Sequence, residues 1–254
     1  FRLLLTTGFK NASVVQTIST YLAIWAKQAG FCGTPEVVPN GVDVAQFARI
    51  PDKKELHAVR TEIGKKEGEI WVIHTGRLVH KNALDTVIRA LTLLPAHIHF
   101  FMIGDGPDRN ALAALASEID VSSRAHFHPF VPIERLPIYL KACDIFIRPS
   151  RSEGIGNSFI EAMTAGLPVI ATQEGGIADF LYDAKRNPDK PTTGWVVDKN
   201  SPEQIAGAVV DIGTHTEQVE HVKTNAKKLV VEKYDWNLIA LKMKTLFDRL
   251  LKKQ

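Results

Sequence analysis

The feature that most constrains this chain is an alternation that runs through most of its length. Short runs of Val, Ile and Phe are each followed by a glycine-bearing or polar turn and then by a stretch of helical period. "EIWVIHTG" (69–76), "IHFFMIGDGP" (98–107), "AHFHPFV" (125–131), "CDIFIRPS" (143–150), "PVIAT" (168–172) and "GWVV" (194–197) read as strands. Between them "NALDTVIRALTLL" (82–94), "RNALAALASEI" (109–119), "ERLPIYLKA" (134–142) and "SFIEAMTAG" (158–166) read as helices, the last stopped at Gly166. Asp108 is placed to cap the second of these, and Pro137 falls in the first turn of the third. Ser201-Pro202-Glu203-Gln204 opens a further helix with a cap, a proline at the first position and a glutamine at the third. Upstream, "ASVVQTIS" (12–19) reads as a strand, Thr20 to Gln28 as an amphipathic helix, and "TPEVVPNGVD" (34–43) as a short strand closed by an Asn40-Gly41 turn. "YDAKRNPDKPTTG" (182–194) reads as a surface loop. Continuous apolar strands alternating with helices predict an α/β fold: a Rossmann-like parallel sheet with helices on both faces.

In such sheets ligands bind beyond the carboxyl ends of the strands, where strand order reverses. Those ends here are "HTGR", "IGDGP", "HPFV", "RPSRSEGIGN" and "ATQEGG", rich in glycine, charge and hydrogen-bonding groups. Composition narrows the ligand. Thirty-one basic against 28 acidic residues leave a net charge of +3, too little to argue for nucleic acid. The two cysteines, Cys32 and Cys143, match neither a metal spacing nor a disulfide framework. Together with the lack of a leader pattern, they predict a cytoplasmic protein. No apolar stretch approaches the ~20 residues that span a bilayer. The chain opens on Phe1 rather than Met, and the expectation is a piece of a longer protein.

Two glutamates in "RPSRSEGIGNSFIEAMTAG" (148–166) ask for an explanation. Glu153 lies in a glycine-bearing loop and Glu161 in the helix that follows. The loop glycines let the backbone approach a ligand, and the helix start favours an anion. Side chains on a helix lean toward its N-terminus, so Glu161 leans toward the same crevice. A carboxylate there would repel a phosphate, but it can accept hydrogen bonds from neutral hydroxyls, as an acidic residue does with ribose in dinucleotide folds. The competing reading is local: Ser158 through Glu161 also spells a capping box. In "HTGRLVHKN", Arg77 and Lys81 are spaced to reach one anion, Arg77 by its fork and Lys81 as a point charge, or else are solvated loop charges. "GDGP" lacks the third glycine of a dinucleotide fingerprint and reads as a strand-to-helix turn. His97/His99 and His126/His128 each share a strand face, without the carboxylate or cysteine cluster that zinc would need. The tail places Trp236, Ile239, Met243, Leu246 and Leu250 at helical spacing, an amphipathic helix that docks on protein or touches a membrane.

Taken in order, these pieces resemble the retaining GT-B glycosyltransferases of glycosyltransferase family 4. The resemblance runs through "VVPNGVD" (37–43), "TGRLVHKNALDTVIRAL" (75–91), "MIGDGP" (102–107), "CDIFIRPSRSEGIGNSFIEAMTAGLPVIAT" (143–172) and "GGI" (175–177). The spacing of the two glutamates is its most specific part. It implies the C-terminal, donor-binding half of a GT-B fold (36–254), preceded by the end of an acceptor-binding domain (1–35). The implied donor is a nucleoside-diphosphate sugar, with UDP or GDP as the carrier, and neither a metal nor another cofactor is implied. By the resemblance, Arg77 and Lys81 beside Gly76 hold the diphosphate, and Glu161 binds the ribose hydroxyls. Glu153 and the backbone of Gly154, Ile155 and Gly156, with Asn157 next to them, meet the transferred sugar. Phe130 and Val131 lie near the base, with Pro129 where a glycine is usual. Arg77, Lys81 and Glu153 are the residues nearest the chemistry. The implied reaction is sugar transfer with retention to an unidentified acceptor, the 254 residues alone being inactive. A nucleotide-sugar epimerase and a non-catalytic sugar-nucleotide-binding module are the alternatives.

Overall fold

A computed structural model describes residues 2–252, with side chains from residue 6 onward. The chain begins with α1 (Arg2–Asn11), β1 (Gln16–Thr17) and α2 (Thr20–Gln28). The strand expected over 12–19 shrinks to two residues, because Ser19 is taken as the N-cap of α2 and accepts from the Leu22 amide. β2 (Glu36–Val37) pairs in parallel with β1. The expected Asn40-Gly41 turn does not form. The chain instead runs extended into Val42, whose amide donates to the Tyr234 carbonyl at 2.8 Å and whose carbonyl accepts from the Trp236 amide at 3.1 Å. Two short helices follow, α3 (Val44–Ala48) and α4 (Lys53–Ile63). The second opens on a reciprocal capping box between Asp52 and Glu55.

The main sheet has six parallel strands: β3 (Ile70–Thr75), β4 (Ile98–Ile103), β5 (Ala125–His128), β6 (Ile145–Arg148), β7 (Val169–Ala171) and β8 (Trp195–Val196). Their order is β5-β4-β3-β6-β7-β8, so the winding reverses between β3 and β6. Alternate side chains of each strand feed two cores. Trp71, Ile73, Phe101 and Phe146 pack under α4, α7 (Leu136–Ala142) and α8 (Asn157–Ala165). Val72, Phe100, Met102 and Ile147 pack under α5 (Leu84–Ala90), α6 (Arg109–Glu118) and α9 (Pro202–Thr214). Helices therefore cover both faces, as strands apolar on both sides require.

Several local expectations shift by a turn. The helix expected over 82–94 is α5 alone, bracketed by 3-10 turns, because Ala83 takes a left-handed conformation at φ 55°. Asp108 occupies the N-cap position of α6 without a capping bond from its side chain. Ser201 does cap α9, and Pro202 stands at its first position, but the Gln204 side chain turns to Asp198 rather than back to the cap. His99 and His126 meet across neighbouring strands at 2.9 Å, stacked against Trp71, and no group that could hold a metal ion occurs among the described residues. After α10 (Thr216–Lys233), α11 (Trp236–Leu251) buries Ile239 and Leu246 and reaches back to β2 through an Arg249–Glu36 ion pair, while Leu241 and Phe247 stay exposed. No helix among the described residues is long and apolar enough to cross a membrane.

Candidate anion and hydroxyl site at the sheet switch point

The turn after β3 carries the first half of the site. Gly76 adopts φ 134°, which a side chain would strain, and sends Arg77 outward. Arg77 is exposed and its side chain makes no hydrogen bond or ion pair among the described residues. The turn after β4 supports it from beside: a Cβ on Gly104 would stand 2.1 Å from the Gly76 carbonyl oxygen, and one on Gly106 2.2 Å from that of Leu78. The sequence reading of "GDGP" as a turn is correct, and its glycines serve this close approach. Lys81 sits on a short arch fastened at several points. Asn82 Nδ2 donates to the Arg77 carbonyl at 2.7 Å. Arg151 grips Asp85 through two bonds of 2.9 and 2.7 Å, donates to the His80 carbonyl, and gives its amide to the Lys81 carbonyl at 2.7 Å.

The turn after β6 carries the second half, organised by a residue that the sequence reading missed. Arg148 is buried, 7% exposed. It donates to Ser158 Oγ at 2.9 Å and to Glu153 Oε2 at 2.7 Å, and its guanidinium lies 4.3 Å from the Phe159 ring centre. Glu153 Oε1 accepts from the Gly154 amide at 2.9 Å and faces Lys81 Nζ at 3.5 Å. Its side chain is 9% exposed, whereas that of Lys81 is 54% exposed. Gly156, at φ 78°, is the N-cap of α8. Asn157 follows at the first helical position and accepts from Asn40 at 3.1 Å. Gly175 and Gly176 press on the far side of the loop, where a Cβ on either would stand 1.9 Å from the Glu153 or Gly154 carbonyl oxygen.

This geometry removes the capping-box reading of Glu161. The cap is Gly156, Ser158 lies inside the helix with its hydroxyl taken by Arg148, and Glu161 stands in the second turn rather than the first. Burial pushes the Glu161 carboxyl up to about 7, with Arg148 pulling the other way. His74, fully buried at the end of β3, is held neutral: burial and the Arg148 charge drive it down to about 3.

A cavity of about 560 Å³ opens between these turns. Gly76, Arg77, Phe130, Val131 and Glu161 all line it, so five residues drawn from a span of more than 80 positions in sequence converge. Lys81 and Glu153 pair at the neighbouring loop, and Arg148 connects the two groups. Ile155 turns its side chain into the core, leaving its backbone at the loop. A visible trace of Arg148 did exist, since an arginine closes the otherwise apolar run "CDIFIR". Its partnership with Ser158 required the fold.

The doubly wound parallel sheet that brings these groups to its switch point is matched by solved structures. The chain superposes on HepE of Anabaena in complex with UDP and glucose with a TM-score of 0.88, at 20% identity, over 98% of this chain and 66% of that one. It superposes equally on sucrose-phosphate synthase of Thermosynechococcus elongatus, with a TM-score of 0.87 at 23% identity, over 100% and 62%. Residues 57–246 match the family model of glycosyl transferases group 1, and the chain belongs to that family. Over 237 residues it is 28% identical to a GDP-mannose-dependent alpha-(1-6)-phosphatidylinositol monomannoside mannosyltransferase of Mycolicibacterium smegmatis, covering 89% of this chain and 59% of that protein. Over 158 residues it is 35% identical to a D-inositol 3-phosphate glycosyltransferase of Nocardia farcinica, covering 58% and 34%. The chain thus spans about three fifths of the mycobacterial relative. Family membership favours a glycosyltransferase over the epimerase alternative.

Proposed function

We propose that these residues form the donor-binding half of a retaining glycosyltransferase that takes a hexose from a nucleoside diphosphate. The observation that carries this reading is the exposed, uncommitted Arg77 at the switch point, facing a cavity whose other wall holds Glu161. The diphosphate lies against Arg77, Lys81 and the N-terminus of α8, where a dipole and two cations favour it. Lys81 is free to turn to a ligand, because its pair with Glu153 is long and its own side chain is about half exposed. The ribose hydroxyls donate to Glu161, the base enters between Phe130 and Val131, and the sugar reaches the backbone of residues 154–156 beside Glu153. As the glycosidic bond breaks, negative charge grows on the departing diphosphate, and Arg77 and Lys81 stabilise it. Names among the relatives and neighbours include both GDP-mannose and UDP as partners of those proteins, and both carriers fit this reading. The acceptor is supplied from outside the donor cavity.

Calorimetry on Arg77→Ala and Lys81→Ala tests the assignment. Each change weakens binding of UDP or GDP by about 1.5–3 kcal/mol, the worth of a charge-assisted bond, and leaves the nucleosides nearly untouched. Equal losses for nucleoside and nucleoside diphosphate place the anion site elsewhere.

A further inference from the structure

A buried arginine is costly unless its surroundings match it. At Arg148 the matching comes from two segments, the start of α8 and the loop before it. One terminal nitrogen donates to Ser158 in the first turn of α8, the other to Glu153 in the preceding loop, and the plane lies over Phe159. Nε alone has no partner among the described residues. The guanidinium is also wedged between the two turns that bracket the anion site. A Cβ on Gly156 would stand 2.3 Å from Nη2, and one on Gly76 would stand 3.6 Å from Nη1. Arg148 shares the cavity wall with Glu161.

We propose that Arg148 is a positioning residue of the donor site: it fastens the Glu153 loop to the start of α8 and supplies the counter-charge that keeps Glu161 a hydrogen-bond acceptor. The sugar end and the ribose end of the donor then depend on one buried side chain. This inference rests on the donor-site reading given above. Among the described residues, the charged groups that share the cavity with Glu161 are Arg148 from β6, itself paired with Glu153 from the loop after it, and Arg77 and Asp105. His74, behind the Gly76 turn, stays neutral at physiological pH. Arg148 is the cation that draws the Glu161 carboxyl down against its burial.

Binding of UDP-glucose and GDP-mannose, measured by calorimetry between pH 5.5 and 9, tests the proposal. These probes have no terminal phosphate group to titrate in that range. In the wild type, affinity falls as pH drops through about 7, where Glu161 gains its proton. In Arg148→Met the opposing charge is gone. The midpoint moves up by about one pH unit or more, and affinity at pH 7 drops roughly tenfold. Arg148→Lys keeps the charge but loses the fork. Its midpoint stays near that of the wild type, while its preference for the nucleotide sugar over the nucleoside diphosphate falls toward one. A Met variant that is folded by circular dichroism and keeps the wild-type midpoint overturns the proposal. Should the Met variant not fold, Arg148→Lys and Ser158→Ala decide: a wild-type preference for the nucleotide sugar in both overturns it, and a reduced one in both supports it. A wild type that binds neither probe overturns the donor-site reading itself.

Discussion

Glu161 combines two demands that pull in opposite directions. On the reading proposed above it accepts from two hydroxyls, which favours the carboxylate, yet its place in the second turn of α8 is buried enough to push its carboxyl up to about 7. Because this folded value lies above the ordinary 4.5, the native state holds a proton that the unfolded chain releases between those values. Stability therefore falls as pH rises from about 4.5 to 7, and the deficit is complete above 7. Glu161→Gln removes it. The variant melts higher than the wild type at pH 8, by the equivalent of about 1–3 kcal/mol, and shows no such gain at pH 4.5. The same variant weakens a ribonucleotide while leaving its 2′,3′-dideoxy analogue nearly unchanged, since one amide cannot replace both charge-assisted bonds. Binding isotherms with both ligands, and melting curves at both pH values, check the two halves. If the variant still discriminates ribose as the wild type does, Glu161 does not touch it. The glutamate spacing was legible in the sequence, but the choice between cap and ligand reader was not. The cap half of it fails because Gly156, not Ser158, takes the N-cap position of α8, and the Ser158 hydroxyl accepts from Arg148 ten residues upstream.

At the scale of elements, the central strands β3, β4, β6 and β7 were read well because each is a short, doubly buried apolar run, and burial on both faces leaves a compact mark in sequence. The turns after them were read only in part. Gly104 and Gly106 looked like an ordinary strand-to-helix connection, while their actual task is contact with Gly76 and Leu78, nearly 30 residues earlier. Such contact is invisible to local periodicity. It makes Gly104→Ala a sharp probe, because the new methyl group would meet the Gly76 carbonyl and the φ of 132° disfavours any side chain. The change costs about 2–4 kcal/mol in urea unfolding and weakens nucleotide binding by displacing the turn that carries Arg77. Gly207, inside α9 with open space around it, gives the opposite sign: Gly207→Ala gains about 0.5–1 kcal/mol. A tolerant Gly104 would mean that the two turns separate freely. The helices α3 and α4 went unread, although Asp52 and Glu55 carry a cap signal. Their weak apolar period sits among many charges.

For the molecule as a whole, the alternation of strand and helix implies a parallel sheet, while its order, and the switch point that follows from the order, belong to the fold. What the alternation does not contain is the assembly of the cavity, because Gly76, Phe130 and Glu161 come from three separate connections. On the reading proposed above, these 254 residues bind donor and lack the groups that present an acceptor. The purified chain therefore binds a nucleoside diphosphate in calorimetry yet transfers no sugar to added acceptors, as a radiolabelled-sugar assay reads it. Robust transfer by the chain alone would falsify that division of labour. The arch that carries Lys81 has a consequence for how such a chain can change over generations. Arg151 and Asn82 tie it down from both ends, to Asp85, the His80 and Lys81 backbone and the Arg77 carbonyl. A residue inserted between Arg77 and Asp85 would have to break one of these ties and carry the ammonium group away from the diphosphate it is proposed to hold. Among the described residues, the polar stretch at 184–191 bonds to Gln173, Asp183 and Asp198 rather than to the lining of the cavity. Lengthening can accumulate there, while the arch keeps its count of residues for as long as the cavity is used.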